Sequence, residues 1–266
     1  MDDGRKTNQN LPLSEALGLQ KREMISLTGA GGKTTLMFRL AGELFLQGKK
    51  VITTTTTKIL EPSKNETSHL FVSRDEERIK EFVDRHIDEY GHITLAGEKL
   101  DSGKLKGLSS SLLNILWNLC EIDAMIIEAD GAAGRPVKAP REGEPIIPSN
   151  TTLVAAVLGL EGVGKELNDR NVFQAERVSK LTGIPEGEKM TEEGMALLMT
   201  HPEGLFKGAP NSSRLVTFLN KADISNGLNK GRRIAHLIFE KSHSRIERVI
   251  SGQLKNEPPI AEVFFP

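Results

Sequence analysis

Cysteine and aromatic residues are scarce in this sequence, and its net charge is close to zero. Cys120 is the single cysteine among 266 residues, so an intramolecular disulfide and a cysteine-rich zinc site are both excluded. A reducing compartment is the simplest setting for such a chain, and we expect it to be cytoplasmic. The formal net charge of −1 provides no basic field that would attract nucleic acid or an anionic membrane, so neither is expected as a partner.

Long apolar runs are also missing. The apolar stretches fall well short of the roughly 20 residues that a membrane-spanning helix needs. Residues 1–10 lack the apolar core of a secretory signal. The length suits one large domain. We therefore predict a flexible tail over residues 1–12 and a single domain over residues 13–266, with a helical insertion around residues 170–210.

The pattern that remains is an alternation of strands and helices. Short apolar or β-branched runs predict strands at 23–28, 51–57, 69–73, 93–96, 124–127, 153–158, 215–219 and 246–250. Helical spacing predicts helices at 13–19, 36–48, 74–87, 108–119, 174–199 with a break at 183–188, and 230–242. Residues 131–150 are rich in glycine and proline and are predicted to be loop. Such alternation predicts an α/β fold, namely a P-loop NTPase-like three-layer α/β/α arrangement with a mostly parallel sheet.

A glycine-rich segment lies between the strand at 23–28 and the helix that follows it. Glycines let backbone amides approach an anion, and the helix N-terminus adds the positive end of its dipole. In such loops a lysine supplies charge for the β- and γ-phosphates, and the next threonine offers Mg²⁺ a hydroxyl. We therefore predict Lys33 as a catalytic residue and Thr34 as a metal ligand. The predicted nucleoside triphosphate-binding residues are Gly29, Ala30, Gly31, Gly32, Lys33, Thr34 and Thr35.

This loop departs from the common pattern G-x-x-x-x-G-K-[ST]. That pattern requires glycine at position 27, where this chain has Leu27. From Thr28 onward the loop reads T-G-A-G-G-K-T-T, which resembles the shortened loop T-G-x-x-G-K-T-T of the Mur ligases and folylpolyglutamate synthases. The resemblance implies an ATP-dependent small-molecule kinase or Mur-like ligase as an alternative activity. The chain lacks the length for the extra substrate domains that Mur ligases carry.

Two carboxylates stand where the apolar strand at 124–127 ends. Glu128 and Asp130 are two residues apart and so face the same side of an extended chain. Ligands of open α/β sheets bind at this end of the strands. We predict Asp130 as a ligand of Mg²⁺, and Glu128 as an indirect holder of the ion or as the base that orients water. Both are predicted catalytic residues, and Arg135 or Lys138 in the following loop would neutralise charge that develops in phosphoryl transfer.

A second loop carries a pattern for reading the base. Asn220, Lys221 and Asp223 follow an apolar strand and resemble the N-K-x-D motif of G-protein-like GTPases. In that motif the aspartate accepts hydrogen bonds from guanine, and adenine offers no such donor pair. These three residues are predicted to bind nucleotide, and both GTP and ATP remain open. Hydroxyls of the threonine run, such as those of Thr54 and Thr56, are further candidates for contact with the γ-phosphate or Mg²⁺.

Several segments together resemble the YqeC family, described as accessory proteins of selenium-dependent molybdenum hydroxylases. The resemblance spans roughly residues 12–260. It rests on residues 27–35, the threonine-rich strand with Lys58, and segments 128–132, 138–140, 144–148, 204–208 and 219–223. It implies a P-loop nucleotide-binding fold and a part in selenium cofactor insertion or in maturation of a molybdopterin enzyme. The sequence departs from the family at 168–171, where many members have a His-Arg pair.

Three functions are consistent with these residues. The first is a maturation protein that hydrolyses Mg²⁺-bound ATP or GTP and docks with a client molybdenum hydroxylase or a cofactor carrier. Loops ordered by the γ-phosphate would gate that docking. The second is the kinase or ligase named above, in which catalysis is positioning and charge stabilisation. The third is a nucleotide-gated binding module without catalysis.

Overall fold

The computed structural model describes residues 5–6, 11–241 and 245–266, and within them the chain folds into fifteen strands and seven α-helices. The strands are β1 Arg5–Lys6, β2 Glu23–Gly29, β3 Val51–Thr55, β4 Lys58–Leu60, β5 Leu70–Val72, β6 His92–Ala96, β7 Glu98–Lys99, β8 Lys104–Lys106, β9 Ala124–Glu128, β10 Val137–Lys138, β11 Leu153–Gly159, β12 Val172–Phe173, β13 Arg214–Asn220, β14 Ile246–Gly252 and β15 Ile260–Phe264. The helices are α1 Leu13–Ala16, α2 Lys33–Leu46, α3 Glu76–Tyr90, α4 Ser110–Leu119, α5 Ala175–Thr182, α6 Glu192–Thr200 and α7 Gly227–Lys241.

Ten of these strands form one sheet in the order β1-β15-β14-β13-β11-β2-β9-β3-β6-β5. The eight strands from β14 to β5 are parallel, and only β15 and β1 run antiparallel to their neighbours. Every residue of the central strands β2, β9 and β11 is buried. Strands covered on both faces have to be apolar along their whole length, which is why these read as continuous apolar runs. The predicted fold class is confirmed.

Helices cover both faces of the sheet. Alternate residues of β2 show the two faces, because Met24 packs with α3 and α4 whereas Ile25 and Leu27 pack with α1 and α2. The helices α5, α6 and α7 share an apolar cluster with β11 and β13. The segment predicted as a helical insertion around residues 170–210 therefore packs directly onto the main sheet. The result is a three-layer α/β/α arrangement.

Some elements were not predicted. β15 is an antiparallel strand between β1 and β14, and β4, β7 and β8 form a small antiparallel sheet whose short strands give little periodicity. The prediction of loop throughout residues 131–150 was wrong at β10, which pairs with β12. The predicted flexible tail lies largely outside the described residues, apart from Arg5–Lys6, which pairs with β15, and residues 11–12, which lead into α1. In the described ranges no helix is long and apolar enough to cross a membrane.

Candidate functional site

The glycine-rich loop joins the buried strand β2 to helix α2 in the centre of the sheet. Gly31 has a φ of +76°, and a Cβ atom there would lie 2.4 Å from the backbone nitrogen of Gly159. Gly32 has a φ of +148°, and its Cβ would lie 2.3 Å from the side-chain nitrogen of Asn220. Both the backbone conformation and the available space therefore require glycine at these two positions.

Three amides of this loop point into the protein. The amide of Gly29 donates to a carboxylate oxygen of Asp130 at 3.2 Å. The amides of Ala30 and Gly31 donate to main-chain carbonyls at 2.8 and 3.1 Å, the second of these belonging to Arg135. These bonds fix the shape of the loop, so an anion has to be held by the amides that come after them.

The first turn of α2 supplies such amides. Gly32 is the N-cap residue and provides no side-chain cap, and the first helical amide bonded to it is that of Leu36. Within the part of the chain that the structure describes, the backbone amides of Lys33, Thr34 and Thr35 have no acceptor. An uncapped first turn with converging amides is a binding site for a phosphate group.

Lys33 is held at the start of this helix by two carboxylates and a carbonyl. Its ammonium lies 2.5 Å from the carbonyl of Gly29, 3.0 Å from a carboxylate oxygen of Asp130 and 3.6 Å from one of Glu128. Burial lowers the pKa of Lys33, but the negative charges of Asp130 and Glu128 outweigh that effect, so the pKa lies above its ordinary value. The lysine is therefore a cation beside the open helix turn.

Glu128 lies between this lysine and the hydroxyl of Thr34. The Thr34 hydroxyl donates to a carboxylate oxygen of Glu128 at 2.6 Å, and the glutamate side chain is 8% exposed. Burial raises the pKa of Glu128 above its ordinary value, against the opposing effects of Lys33 and Thr34. A hydroxyl and a carboxylate are oxygen ligands of the kind that Mg²⁺ prefers, with substrate phosphates completing its shell. The described residues contain no group of three or more potential His, Cys, Asp or Glu metal ligands.

Asp130 has a different environment from Glu128. It is fully buried, and one oxygen faces Lys33 while the other accepts the Gly29 amide and lies 2.9 Å from the ammonium of Lys138. The two predicted carboxylates thus meet at Lys33, as their period-2 spacing indicates. However, the carboxylate bonded to Thr34 is Glu128, whereas Asp130 contacts two lysines.

The side chain of Arg135 is held by two backbone carbonyls. Its guanidinium donates to the carbonyls of Asp169 and Ala133 at 3.0 and 3.2 Å. The link from Arg135 to the phosphate loop is its own carbonyl, which accepts from the amide of Gly31. The structure therefore brings this residue to the loop through its main chain, and the side chain would have to leave two carbonyls to reach a phosphate.

Asn220 connects the phosphate loop to the predicted base-reading segment. Its side-chain amide donates to the carbonyl of Gly31 at 2.8 Å and its oxygen accepts from the backbone amide of Leu254 at 3.0 Å. Asp223 is exposed and accepts from the side chain of Asn256 at 2.9 Å. Lys221, with a φ of +68°, forms an ion pair with Glu161. Of the three predicted residues, Asn220 hydrogen-bonds to the phosphate loop, whereas Lys221 and Asp223 contact Glu161 and Asn256.

Two residues with contacts near the predicted base-reading segment were not singled out from the sequence. Asn256 orients Asp223, and Arg39 of α2 donates to the carbonyls of Leu254 and Asn256 at 2.7 and 2.9 Å. A groove of about 940 Å³ beside α2 is lined by Thr35 and Arg39 among others, but its described lining does not include Asn220, Lys221 or Asp223. No local pattern predicts these contacts, because Asp223 and Asn256 are 33 positions apart in the chain and the partners of Arg39 lie more than 200 positions from it.

The threonine run is mostly structural. The hydroxyl of Thr54 is buried and donates to the carbonyl of Leu95 at 2.9 Å, so a phosphate contact is not available to it. The hydroxyl of Thr56 donates to the carbonyl of Ile146 at 2.9 Å. The first bond joins β3 to β6 within the sheet and the second joins the end of β3 to the loop at Ile146, which corrects the prediction of a phosphate contact by Thr54.

Comparison with known proteins gives matches over most of the chain. The family model described as YqeC protein matches residues 25–176. The uncharacterized protein YqeC of Escherichia coli (strain K12) is 33% identical over 254 residues, which cover 93% of this chain and 94% of that protein.

Two solved structures also match. The signal recognition particle 54 kDa protein of Aeropyrum pernix K1 in complex with GDP has a TM-score of 0.40 and 18% identity, and the match covers 91% of this chain but 44% of that one. FtsY of Mycoplasma mycoides has a TM-score of 0.38 and 14% identity, with coverages of 94% and 67%. The chain therefore spans less than half the length of the first of these two structures.

Proposed function

This chain belongs to the YqeC family and has a P-loop NTPase-like fold, and from that premise we propose that it binds and hydrolyses a Mg²⁺-bound nucleoside triphosphate. The observation that carries the proposal is the open first turn of α2, where free amides, the Lys33 ammonium and the Thr34 hydroxyl lie together. Backbone amides and a buried cation at one helix N-terminus stabilise the charge of a polyphosphate chain.

Thr34 and Glu128 are the proposed holders of Mg²⁺. Their oxygens are already 2.6 Å apart, and both are hard donors that suit this ion. The bound ion would supply charge neutralisation at the phosphate oxygens. In this proposal Glu128 replaces Asp130 as the carboxylate nearest the ion, and Asp130 as a direct ligand is the alternative.

The base is proposed to be guanine. Asp223 is exposed beside Asn256, and Asn220 bonds both the phosphate loop and the segment after β14. A carboxylate accepts the two donors of guanine's edge and finds no matching pair on adenine. The support is therefore an exposed acceptor, Asp223, that follows three residues after Asn220, whose side chain bonds to the phosphate loop. ATP is the alternative nucleotide.

The client is proposed to be a molybdenum hydroxylase or a carrier of its cofactor, with selenium insertion as the step served. This part rests on the family resemblance of the sequence. Direct handling of selenium by the chain's thiol has no support, because Cys120 is buried and burial raises its pKa. The test compares hydroxylase activity and bound selenium in cells that produce either the wild-type protein or Lys33→Ala.

The binding proposal is tested by calorimetry with Mg²⁺ and the non-hydrolysable analogues GMPPNP and AMPPNP. Lys33→Ala should weaken binding at least about 100-fold, or about 2.7 kcal/mol, because it removes the buried cation. Lys207→Ala is the matched control, since that lysine pairs with Glu203 on the surface. Equal affinity of the Lys33→Ala and wild-type proteins, or no binding by either, would contradict the proposal.

Turnover separates hydrolysis from the two other functions. A hydrolase is supported if the wild type releases phosphate and Glu128→Gln releases it more slowly while still binding the nucleotide. Release of phosphate only when a small acceptor becomes phosphorylated would favour the kinase or ligase suggested by the Mur-like loop. Binding without turnover, with or without a client, would favour a binding module.

A further inference from the structure

A second lysine, Lys138 of β10, lies buried behind the phosphate loop. Its side chain is 0% exposed, and its ammonium lies 2.9 Å from Asp130, 3.0 Å from Glu144 and 2.7 Å from the carbonyl of Gly131. The phosphate-binding proposal gives this lysine no task, and it is too deeply buried to meet a ligand. A buried ammonium with two carboxylates and a carbonyl around it is costly to place unless it compensates other buried charge.

The charge that needs compensation is that of Asp130. In the present arrangement Lys33 lies against one oxygen of Asp130 and against the carbonyl of Gly29. To contact a triphosphate, Lys33 has to leave this position. If Lys138 were absent, Lys33 would be the only cation at Asp130, and a fully buried carboxylate strongly opposes the loss of its only cation. An isolated Asp130 would therefore keep Lys33 away from the nucleotide.

Lys138 contacts the other oxygen of Asp130. The Lys33 ammonium lies 3.0 Å from Oδ1, whereas Lys138 and the Gly29 amide reach Oδ2 at 2.9 and 3.2 Å. The two lysines therefore do not compete for the same atom. Movement of Lys33 leaves both contacts of Oδ2 in place.

The position of Lys138 does not depend on Lys33. Glu144, whose side chain is 16% exposed, and the carbonyl of Gly131 both accept from its ammonium. The ring of Phe173, on the neighbouring strand β12, lies 5.6 Å from that ammonium, and the β10–β12 pairing holds the two strands together. These contacts anchor the lysine without involving any residue of the phosphate loop.

We infer that Lys138 is a positioning residue that keeps Asp130 neutralised, so that Lys33 is free to transfer from Asp130 to a triphosphate. Asp130 accordingly holds Lys33 in the nucleotide-free protein and does not bind the metal ion. The inference rests on the proposed nucleotide binding and assigns separate tasks to the two carboxylates. Glu128 faces Thr34 and the ion, and Asp130 lies between the two lysines.

The test measures affinity for GMPPNP and AMPPNP with Mg²⁺ by calorimetry in four proteins. Lys138→Met keeps the length of the side chain and removes its charge, and it should weaken binding about tenfold, because Lys33 is then the only cation on Asp130. The double variant Lys138→Met with Asp130→Asn should bind within about threefold of wild type, because no buried carboxylate retains Lys33. Asp130→Asn alone should bind as tightly as wild type or more tightly. Lys80→Met is the matched control, which removes a surface lysine paired with Glu77.

The outcomes separate three cases. Rescue of Lys138→Met by Asp130→Asn supports the inference, since a merely structural role of Lys138 would lower affinity in both backgrounds alike. Weaker, Mg²⁺-independent binding by Asp130→Asn would overturn it and would make Asp130 a metal ligand. If Lys138→Met does not fold, which its melting curve shows, Asp130→Asn alone decides between these two results. Absence of binding by the wild type would instead contradict the proposed function itself.

Discussion

The phosphate end and the base end of the candidate site are held by different kinds of contact. At the phosphate end, Lys33, Asp130 and Lys138 are buried to at least 97% and each has several partners. At the base end, Asp223 is exposed and accepts a hydrogen bond from the side-chain amide of Asn256. Buried charges tolerate almost no displacement, because desolvation makes each lost contact costly, whereas exposed groups exchange their partners for water.

This difference assigns the two ends different tasks. A single side chain can destroy the geometry of the phosphate end, so under the proposed function we expect this end to decide whether a nucleotide binds at all. We expect the base end to adjust only which base is preferred. Asn220 belongs to both, because its side chain joins the carbonyl of Gly31 to the amide of Leu254. Substitutions at the phosphate end, at Asn220 and at the base end therefore test the comparison.

The largest effect is expected from Gly31→Ala. The new methyl group would meet the backbone of Gly159 at 2.4 Å and would force a φ of +76° on alanine. We expect the free energy of unfolding to fall by about 3 kcal/mol and triphosphate binding to be lost. Gly103→Ala is the control, because its φ of +72° is similar but no atom lies within 4 Å. Urea denaturation should show a loss of only about 1 kcal/mol for that control, and equal losses for the two variants would mean that the close contact has no effect.

Asn220→Ala should weaken both ends together. It leaves the carbonyl of Gly31 and the amide of Leu254 without their partner, and a buried polar group without a hydrogen bond costs about 1–3 kcal/mol. We expect stability to fall by about 2 kcal/mol and the affinities for GMPPNP and AMPPNP to fall by similar factors. Asn118→Ala, at an exposed hydrogen bond to Asn150, is the control. An affinity loss confined to one nucleotide would show that Asn220 does not join the two ends.

Asp223→Ala should change base preference alone. Removal of an exposed acceptor should lower the GMPPNP affinity about tenfold, or about 1.4 kcal/mol, and leave the AMPPNP affinity and the thermal stability unchanged. Calorimetry of both analogues measures the ratio directly. An unchanged affinity for GMPPNP would exclude base reading by this loop and would leave ATP as the expected nucleotide.

The smallest effect concerns a buried group outside both ends. Burial lowers the pKa of His92, on β6, to about 4, with a smaller contribution from His69. In the unfolded chain this histidine takes up a proton near pH 6.5, and in the folded protein it does so only near pH 4, so stability falls as pH decreases through this range. Between about pH 7 and about pH 5.5 the loss should be about 1 kcal/mol.

His92→Gln should flatten this pH dependence without changing nucleotide affinity at neutral pH. The Thr53 hydroxyl, 3.0 Å from the histidine ring, then keeps an uncharged partner. Urea denaturation of both proteins across the pH range measures the effect. A pH dependence identical to that of the wild type would assign it to other groups.

Much of the fold was predictable from local pattern. The strands around β2, β9 and β11 have near-continuous apolar sequences, and the helices α2, α4 and α7 follow helical spacing closely. β4, β7 and β8 escaped prediction, since strands of two or three residues give almost no periodicity, and Glu262 interrupts the apolar run of β15. The loop from Gly29 to Thr35 was recognisable because its glycines, its lysine and the start of the helix are adjacent in the sequence.

The candidate site was only partly predictable for the same reason. Glu128 and Asp130 were singled out together, but their different environments depend on Thr34 and Lys138, which belong to other elements. Lys138 was predicted, as an alternative to Arg135, to neutralise charge in phosphoryl transfer, whereas the structure buries it on β10, which pairs with β12. The contacts of Arg39 and Asn256 at the base end join segments more than 200 residues apart, and no local pattern contains such information.

The sequence by itself determined the alternating α/β order, the glycine-rich loop between β2 and α2, and the carboxylates at the end of β9. These features depend on the steric and apolar properties of neighbouring residues. The tertiary structure alone decided which carboxylate faces Thr34, which one lies between two lysines, and which side chains connect the loop to the base-reading segment. The charges of those groups act through space, so their effect depends on distance and burial, which are set only when remote segments pack together.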